Sequence, residues 1–148
     1  MKKYSISIPL SGEVYKLAKK YQKMFYESMS IESVWILGAE PHLNLISGST
    51  NNIDAIVSII NKFKYTNSKY CEAIGLGIFI TPDPLLYLRF TNSIFLRKIR
   101  SFLFDETLHL WESLTNTVKD DFWIPKSTLA FKDYSINDFS KSLSYLKD

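Results

Sequence analysis

The sequence predicts an α+β fold that is bilobal and duplicated, with pseudo-twofold symmetry between its halves. Two observations carry this expectation. Runs of period 2 and runs of period 3.6 both occur, so strands and helices share the chain. Each half then holds a strand with alternating polar residues, a following helix and further strands, and no linker or low-complexity segment divides the 148 residues.

The elements follow in order. YSISIPL at 4–10 alternates, which puts Ile6, Ile8 and Leu10 on one face of a half-buried strand. Ser11 stands at an N-cap position. Val14, Leu17, Ala18, Tyr21 and Phe25 then recur at helical spacing to about Tyr26. VWIL at 34–37 predicts a short strand, ended by Gly38 and Pro41. HLNLIS at 42–47 alternates again, with Leu43 and Leu45 opposite His42 and Asn44. GSTNN reads as a loop and helix entry, and Ile53, Ile56, Val57, Ile60 and Phe63 mark the helix that follows.

In the second half, CEAIGLGIFI at 71–80 and LLYLRFTN at 85–92 are β-rich, and TPDP between them reads as a hairpin connection. Asn92 or Ser93 caps a helix to about Leu114, with Ile94, Leu96, Ile99, Phe102, Leu103 and Leu110 as its stripe. STLAF at 127–131 is the next strand, and Ile136 to Leu146 a final amphipathic helix.

Composition narrows the function classes. Lys and Arg total 18 against 15 Asp and Glu, too small an excess for a protein that neutralises many phosphates of duplex DNA. It allows a local positive pocket for one or two phosphates. Cys71 is the single cysteine, so neither an intrachain disulfide nor a cysteine-based zinc site can form. The opening MKKYSISIPLSG is too short and polar for a signal peptide, and no run approaches the roughly 18–20 apolar residues of a membrane span. A soluble cytoplasmic protein of open oligomeric state is the expectation.

Two segments carry the chemistry. In PHLNLISGS, His42 and Asn44 stand two apart on a strand and so share a face. A histidine beside a short polar group suits acid–base work, since the free side chain titrates near pH 6.5; a structural histidine is the plainer alternative. In WIPKSTLAFKD, Lys126 and Thr128 stand in the same relation, a cation and a hydroxyl suited to a phosphate oxygen; a solvent-facing lysine on an edge strand is the alternative. In both segments a proline precedes the first motif residue, His42 or Lys126, which is followed by a polar residue at i+2 and Leu at i+3.

This pair resembles the two H-x-[T/S]-hydrophobic motifs of the two-histidine (2H) phosphoesterase superfamily, which includes the 2′-5′ RNA ligase-like proteins and cyclic phosphodiesterases. The similarity runs on through GLGIFI, LLYLRF and SIFLRKIR and covers nearly the whole chain. It implies a single domain over 1–148 with intertwined lobes. The motifs at 42–45 and 126–129 would lie on central strands, with antiparallel sheets lining one cleft and helices outside. It implies further that one histidine takes a proton from the attacking hydroxyl, the other protonates the leaving oxygen, the hydroxyls bind phosphoryl oxygens, and no metal or other cofactor takes part.

His42 matches the first histidine and Thr128 the second hydroxyl. Asn44 replaces the first Thr/Ser, and Lys126 replaces the second histidine. Asn44 keeps an amide donor. Lys126, with an ordinary pKa of about 10.4, holds a phosphate better than it cycles a proton. The expected function is therefore binding of a small phosphodiester, a cyclic or 2′-5′-linked oligonucleotide or an RNA end, with little or no cleavage. The alternatives are an active phosphodiesterase with Lys126 as electrophile or acid, and a protein-interaction scaffold with a vestigial site. Tyr87, Trp123 and Phe131 are candidates for base stacking and Arg89 for a phosphate contact. Arg97, Lys98 and Arg100 read as a solvated helix face, and GLG at 75–77 lacks phosphate-loop spacing.

Overall fold

A computed structural model describes residues 2–63, 71–80, 84–115 and 123–146. The chain is α+β, with two three-stranded antiparallel sheets and four helices among the described residues. In order these are β1 (Lys2–Pro9), α1 (Gly12–Met29), β2 (His42–Thr50), α2 (Ile53–Lys62), β3 (Ala73–Phe79) and β4 (Leu85–Phe90). α3 (Ile94–Thr107), β5 (Ser113–Leu114), β6 (Lys126–Phe131) and α4 (Ile136–Tyr145) complete the set. The chain divides into two compact units, each assembled from three segments. The first takes 1–8, 44–72 and 91–125, and the second 9–43, 73–90 and 126–148, so neither unit is one half of the sequence. No helix among the described residues is long and apolar enough to cross a membrane.

The first unit holds the sheet β1-β2-β5, with β2 in the middle. β2 runs on to Thr50, through the GST of the expected loop, because β5 pairs with its second half: Gly48 faces Leu114 and Ser49 faces Ser113. Glu112 N donates to Ser49 O at 2.9 Å, and Thr115 N to Ser47 O at 2.9 Å. Gly48 permits this approach, since a Cβ there would lie 2.2 Å from Ser113 O. The helix expected to reach about Leu114 ends at Thr107. The Thr107 hydroxyl donates to Leu103 O and accepts from the Trp111 indole, which closes the last turn into a 3-10 segment at Leu108–Leu110. Ser93 does cap this helix, accepting from Leu96 N at 3.2 Å. Arg100 departs from the expected solvated face. It is 4% exposed, with its guanidinium over Phe104 and Trp123.

The second unit holds the sheet β3-β4-β6, with α1 packed on β6 and on α4. β3 and β4 pair in antiparallel register as expected; residues 81–83 of their connection lie outside the described residues. The second motif strand, β6, is the outer strand of the described sheet. The resemblance implied a central strand for each motif; β2 fits that expectation and β6 does not. α1 continues beyond Tyr26 to Met29, where Ser30 takes a left-handed conformation and returns its N–H to Tyr26 O, while Ile31 N reaches Phe25 O. VWIL at 34–37 is a turn and not a strand. Ile36 N reaches back to Glu32 O and Gly38 N to Trp35 O, while Asp133 Oδ2 accepts from Glu32 N and Ser33 N. These local partners satisfy the backbone without a sheet neighbour.

Candidate functional site

Most of the sequence-predicted site residues collect in the second unit, on one face of its sheet. Tyr87 pairs with Thr128 and Arg89 with Lys126 across β4 and β6, and residues directly opposite project to the same side. The register then skips Leu129: Leu86 meets Ala130 and Leu85 meets Phe131. This bulge returns Phe131 to the face of Lys126 and Thr128, although it stands three positions beyond Thr128. Lys126, Thr128, Phe131, Tyr87 and Arg89 thus share a face.

Their environments differ. Arg89 is exposed, while Tyr87 is 4% exposed and its ring covers Gly77, where a Cβ would meet it at 2.3 Å. Phe79 packs against Tyr87 with centroids 4.9 Å apart. The Lys126 ammonium lies over both rings, 5.6 Å from Phe79 and 5.8 Å from Tyr87. Burial pulls its pKa below the ordinary 10.5, and burial likewise pushes the Tyr87 hydroxyl up, with Arg89 opposing. Tyr87 is therefore engaged as packing and as a seat for Lys126. Lys126 and Arg89 are thus neighbours across the ladder, one largely buried over the two rings and the other exposed.

Beside the outer edge of β6 lies a pocket of about 240 Å³, lined by His42 of the first motif and by Thr128 and Phe131 of the second. Lys126 is not among its lining residues. His42 Nδ1 is 2.7 Å from Glu40 O; a carbonyl only accepts, so Nδ1 donates and Nε2 is the ring nitrogen not engaged by this bond. The segment holding His42 is anchored by Leu10 N to Pro41 O, by Tyr15 OH donating to Glu40 and by Lys19 paired with Glu40. The Tyr15 hydroxyl holds the Glu40 carboxyl below its ordinary range, helped by Lys19 against some desolvation. Ser33 and Gln22 meet the free edge of β6, donating to Phe131 O and, at 3.0 Å, to Thr128 O.

Two of the sequence-predicted residues belong to the first unit. Asn44 follows the half-buried alternation of β2, but its side-chain nitrogen donates to Ser47 Oγ at 2.5 Å and its backbone carbonyl accepts from the Trp123 indole at 3.1 Å, while its Oδ1 is buried without a partner among the described residues. Trp123 is 9% exposed and also carries Arg100 over its ring at 5.1 Å, so its faces and edge serve packing. Sequence reasoning missed Gln22, Glu40 and Ser127, all of which line the pocket. Gln22 had a legible signal, since it sits at helical spacing between Ala18 and Phe25 on the buried stripe of α1. Among the described residues no group of three or more His, Cys, Asp or Glu comes together to hold a metal ion. Compared with models of known protein families the chain gives no match, and compared with curated proteins it gives none either.

Proposed function

We propose that this chain is a 2H phosphoesterase-like protein of the duplicated, bilobal type that binds a small phosphodiester ligand and holds it with little or no cleavage. The ligand class is a cyclic or 2′-5′-linked oligonucleotide, or an RNA end. The observation that carries the reading is that His42 of the first motif and Thr128 of the second line one pocket. The Thr128 hydroxyl donates to a phosphoryl oxygen, and Lys126 and Arg89 on the same sheet face supply positive charge. A phosphate beside Lys126 would draw its pKa back up, since an anion favours the charged form. Proton transfer at both ends of the reaction needs a second group that titrates near neutrality. A lysine that holds its proton in the bound state leaves the second transfer without a carrier, a loss of about 10²–10⁴-fold in rate.

The test mixes purified protein with cyclic and linear oligonucleotides, removes unbound material, heat-denatures the protein and analyses what is released by mass spectrometry. Intact ligand is the expected result, and recovery of cleaved product sinks the sequestration reading. The burial that lowers the pKa of Lys126 favours one other reading, an active phosphodiesterase in which Lys126 exchanges a proton with the leaving group. That reading fails if the wild type shows no single-turnover cleavage while Lys126→His gains it.

A further inference from the structure

The face of the sheet β1-β2-β5 that carries Ser47 and Ser49 is rich in hydroxyls. Ser49 stands directly opposite Ser113 of β5, so the two project to the same side. The other side belongs to Gly48, where the Trp111 ring and the Leu114 side chain close in on the position a Cβ would take. Ser47 shares the Ser49 side by strand alternation, and the Ser5 hydroxyl meets it from β1 at 2.9 Å. Lys3, two positions before Ser5, follows on that side. Lys3, Ser5, Ser47, Ser49, Ser113 and Thr115 line one hollow of about 400 Å³, all within the first unit.

Two observations point from this hollow to a ligand. Ser49 is 8% exposed, yet its hydroxyl makes no hydrogen bond among the described residues. Unlike Asn44 Oδ1 it is not sealed off, and it keeps a surface on the hollow. A polar side chain this buried ordinarily has a partner. The second observation is a surplus of donors. Asn44 Nδ2 brings its own hydrogen to Ser47 Oγ, so the bond between Ser5 and Ser47 uses one of their two hydroxyl hydrogens and leaves the other free. Ser49 and Ser113 add further hydroxyls, and Lys3 adds an ammonium that forms no ion pair among the described residues. No carboxylate is among the lining residues. A phosphoryl group, built of acceptors and negatively charged, matches this set, and a cation does not.

We propose that this hollow is a phosphoryl subsite. The Ser49 hydroxyl and the free hydroxyl hydrogen of the Ser5–Ser47 pair donate to phosphoryl oxygens, and Lys3 supplies the charge. The inference goes beyond the phosphodiester reading, because the hollow shares no lining residue with the His42 pocket and needs neither His42 nor Thr128. A nucleoside monophosphate and inorganic phosphate present the same chemistry to it.

The experiment titrates inorganic phosphate, adenosine 5′-monophosphate and adenosine by calorimetry, at low and raised salt. It uses the wild type and the His42→Ala, Thr128→Val double variant, in which the other pocket no longer contributes. Both phosphate-bearing probes, or the monophosphate alone, should bind the double variant, and adenosine should not. Tighter binding of the monophosphate assigns the site to a nucleotide, and equal binding assigns it to free phosphate. Adding Ser49→Ala removes a hydroxyl that the free protein leaves unbonded, so the melting temperature should hold while phosphate affinity falls about 10-fold or more. Lys3→Gln should lower it about 2- to 5-fold and flatten its salt dependence. Phosphate binding by the double variant that is indifferent to Ser49→Ala overturns the subsite, as does no phosphate binding by that variant at an unchanged melting temperature. If the double variant is destabilised, Ser49→Ala in the wild type decides instead, and unchanged affinity there overturns the subsite. The phosphodiester reading is judged separately, by whether His42→Ala weakens a dinucleotide in the wild type.

Discussion

The two sheets start from similar sequence and reach different ends. β2 is the middle strand of its sheet, buried without a break from Leu45 to Thr50, and several of its polar groups bond within the unit: Ser5 to Ser47 at 2.9 Å, Asn44 Nδ2 to Ser47 and the Trp123 indole to the Asn44 backbone oxygen, while Asn44 Oδ1 is buried without a partner among the described residues. β6 is the outer strand of its sheet among the described residues, and a pocket lined by Ser127, Thr128 and Phe131 lies beside it. The same i, i+2 pattern of polar residues therefore ends as internal bonding at Asn44 and as a pocket wall at Thr128. A strand's place in its sheet decides which of its polar groups the neighbouring strands and loops can bond and which border an open space.

The sharpest way to break this contrast uses the two close-packed glycines. Gly48→Ala drives a Cβ against the backbone oxygen of Ser113, which cannot move without unpairing β5; we expect a loss of about 3 kcal/mol or more in denaturant unfolding. Gly77→Ala meets only the end of the Tyr87 ring, so the expected loss is smaller, about 1 kcal/mol, and should shrink in a Tyr87→Leu background. Equal losses at the two positions would erase the distinction between backbone closure and side-chain closure.

Next in size are the binding effects. His42→Ala and Thr128→Val should each weaken a bound dinucleotide by about 10- to 100-fold, the worth of a hydrogen bond to a charged group. Asn44→Ala, in the other unit, should cost less than about 1 kcal/mol of stability and leave affinity within about twofold. A large affinity loss at Asn44 would mean that the internal bonding of the first sheet is not its final use.

Asp133→Ala should cost about 1 kcal/mol by releasing the backbone N–H groups of Glu32 and Ser33. Burial alone would raise this carboxyl, but hydrogen bonds from Ser33 and Glu32 hold it below its ordinary 3.8. Its contribution is therefore whole above pH 3.8 and fades as pH falls through the lowered native value, a dependence that Asp133→Ala should flatten in acid unfolding curves.

Lys126→Met gives the smallest change at neutral pH, within about 1 kcal/mol, since the lost cation–π contact offsets the relief of desolvation. The native pKa of Lys126 lies below its unfolded value of 10.5, so its charged form penalises the native state. That penalty is whole below the native pKa and disappears as pH rises from there to 10.5, so wild-type stability gains over this window. Thermal unfolding of Lys126→Met should lack the gain, and an unchanged slope would show that the ammonium is not desolvated.

The α+β class and nine of the ten expected elements were legible in the sequence, because period-2 and period-3.6 burial leave their mark on amphipathic segments. So was the common face of Lys126 and Thr128, which strand geometry alone dictates. Other features depended on groups distant in the chain. VWIL turns because Asp133, about a hundred residues away, takes the N–H groups that precede it. GST extends β2 and α3 stops at Thr107 because β5 returns to pair there. Phe131 joins the Thr128 face through a bulge that no period reveals, and Gln22 and Ser127 become a pocket wall only once α1 lies along β6. Local periodicity records which side of an element is buried; what waits on that side, a bonding partner or an open pocket, is set by segments far off in the chain.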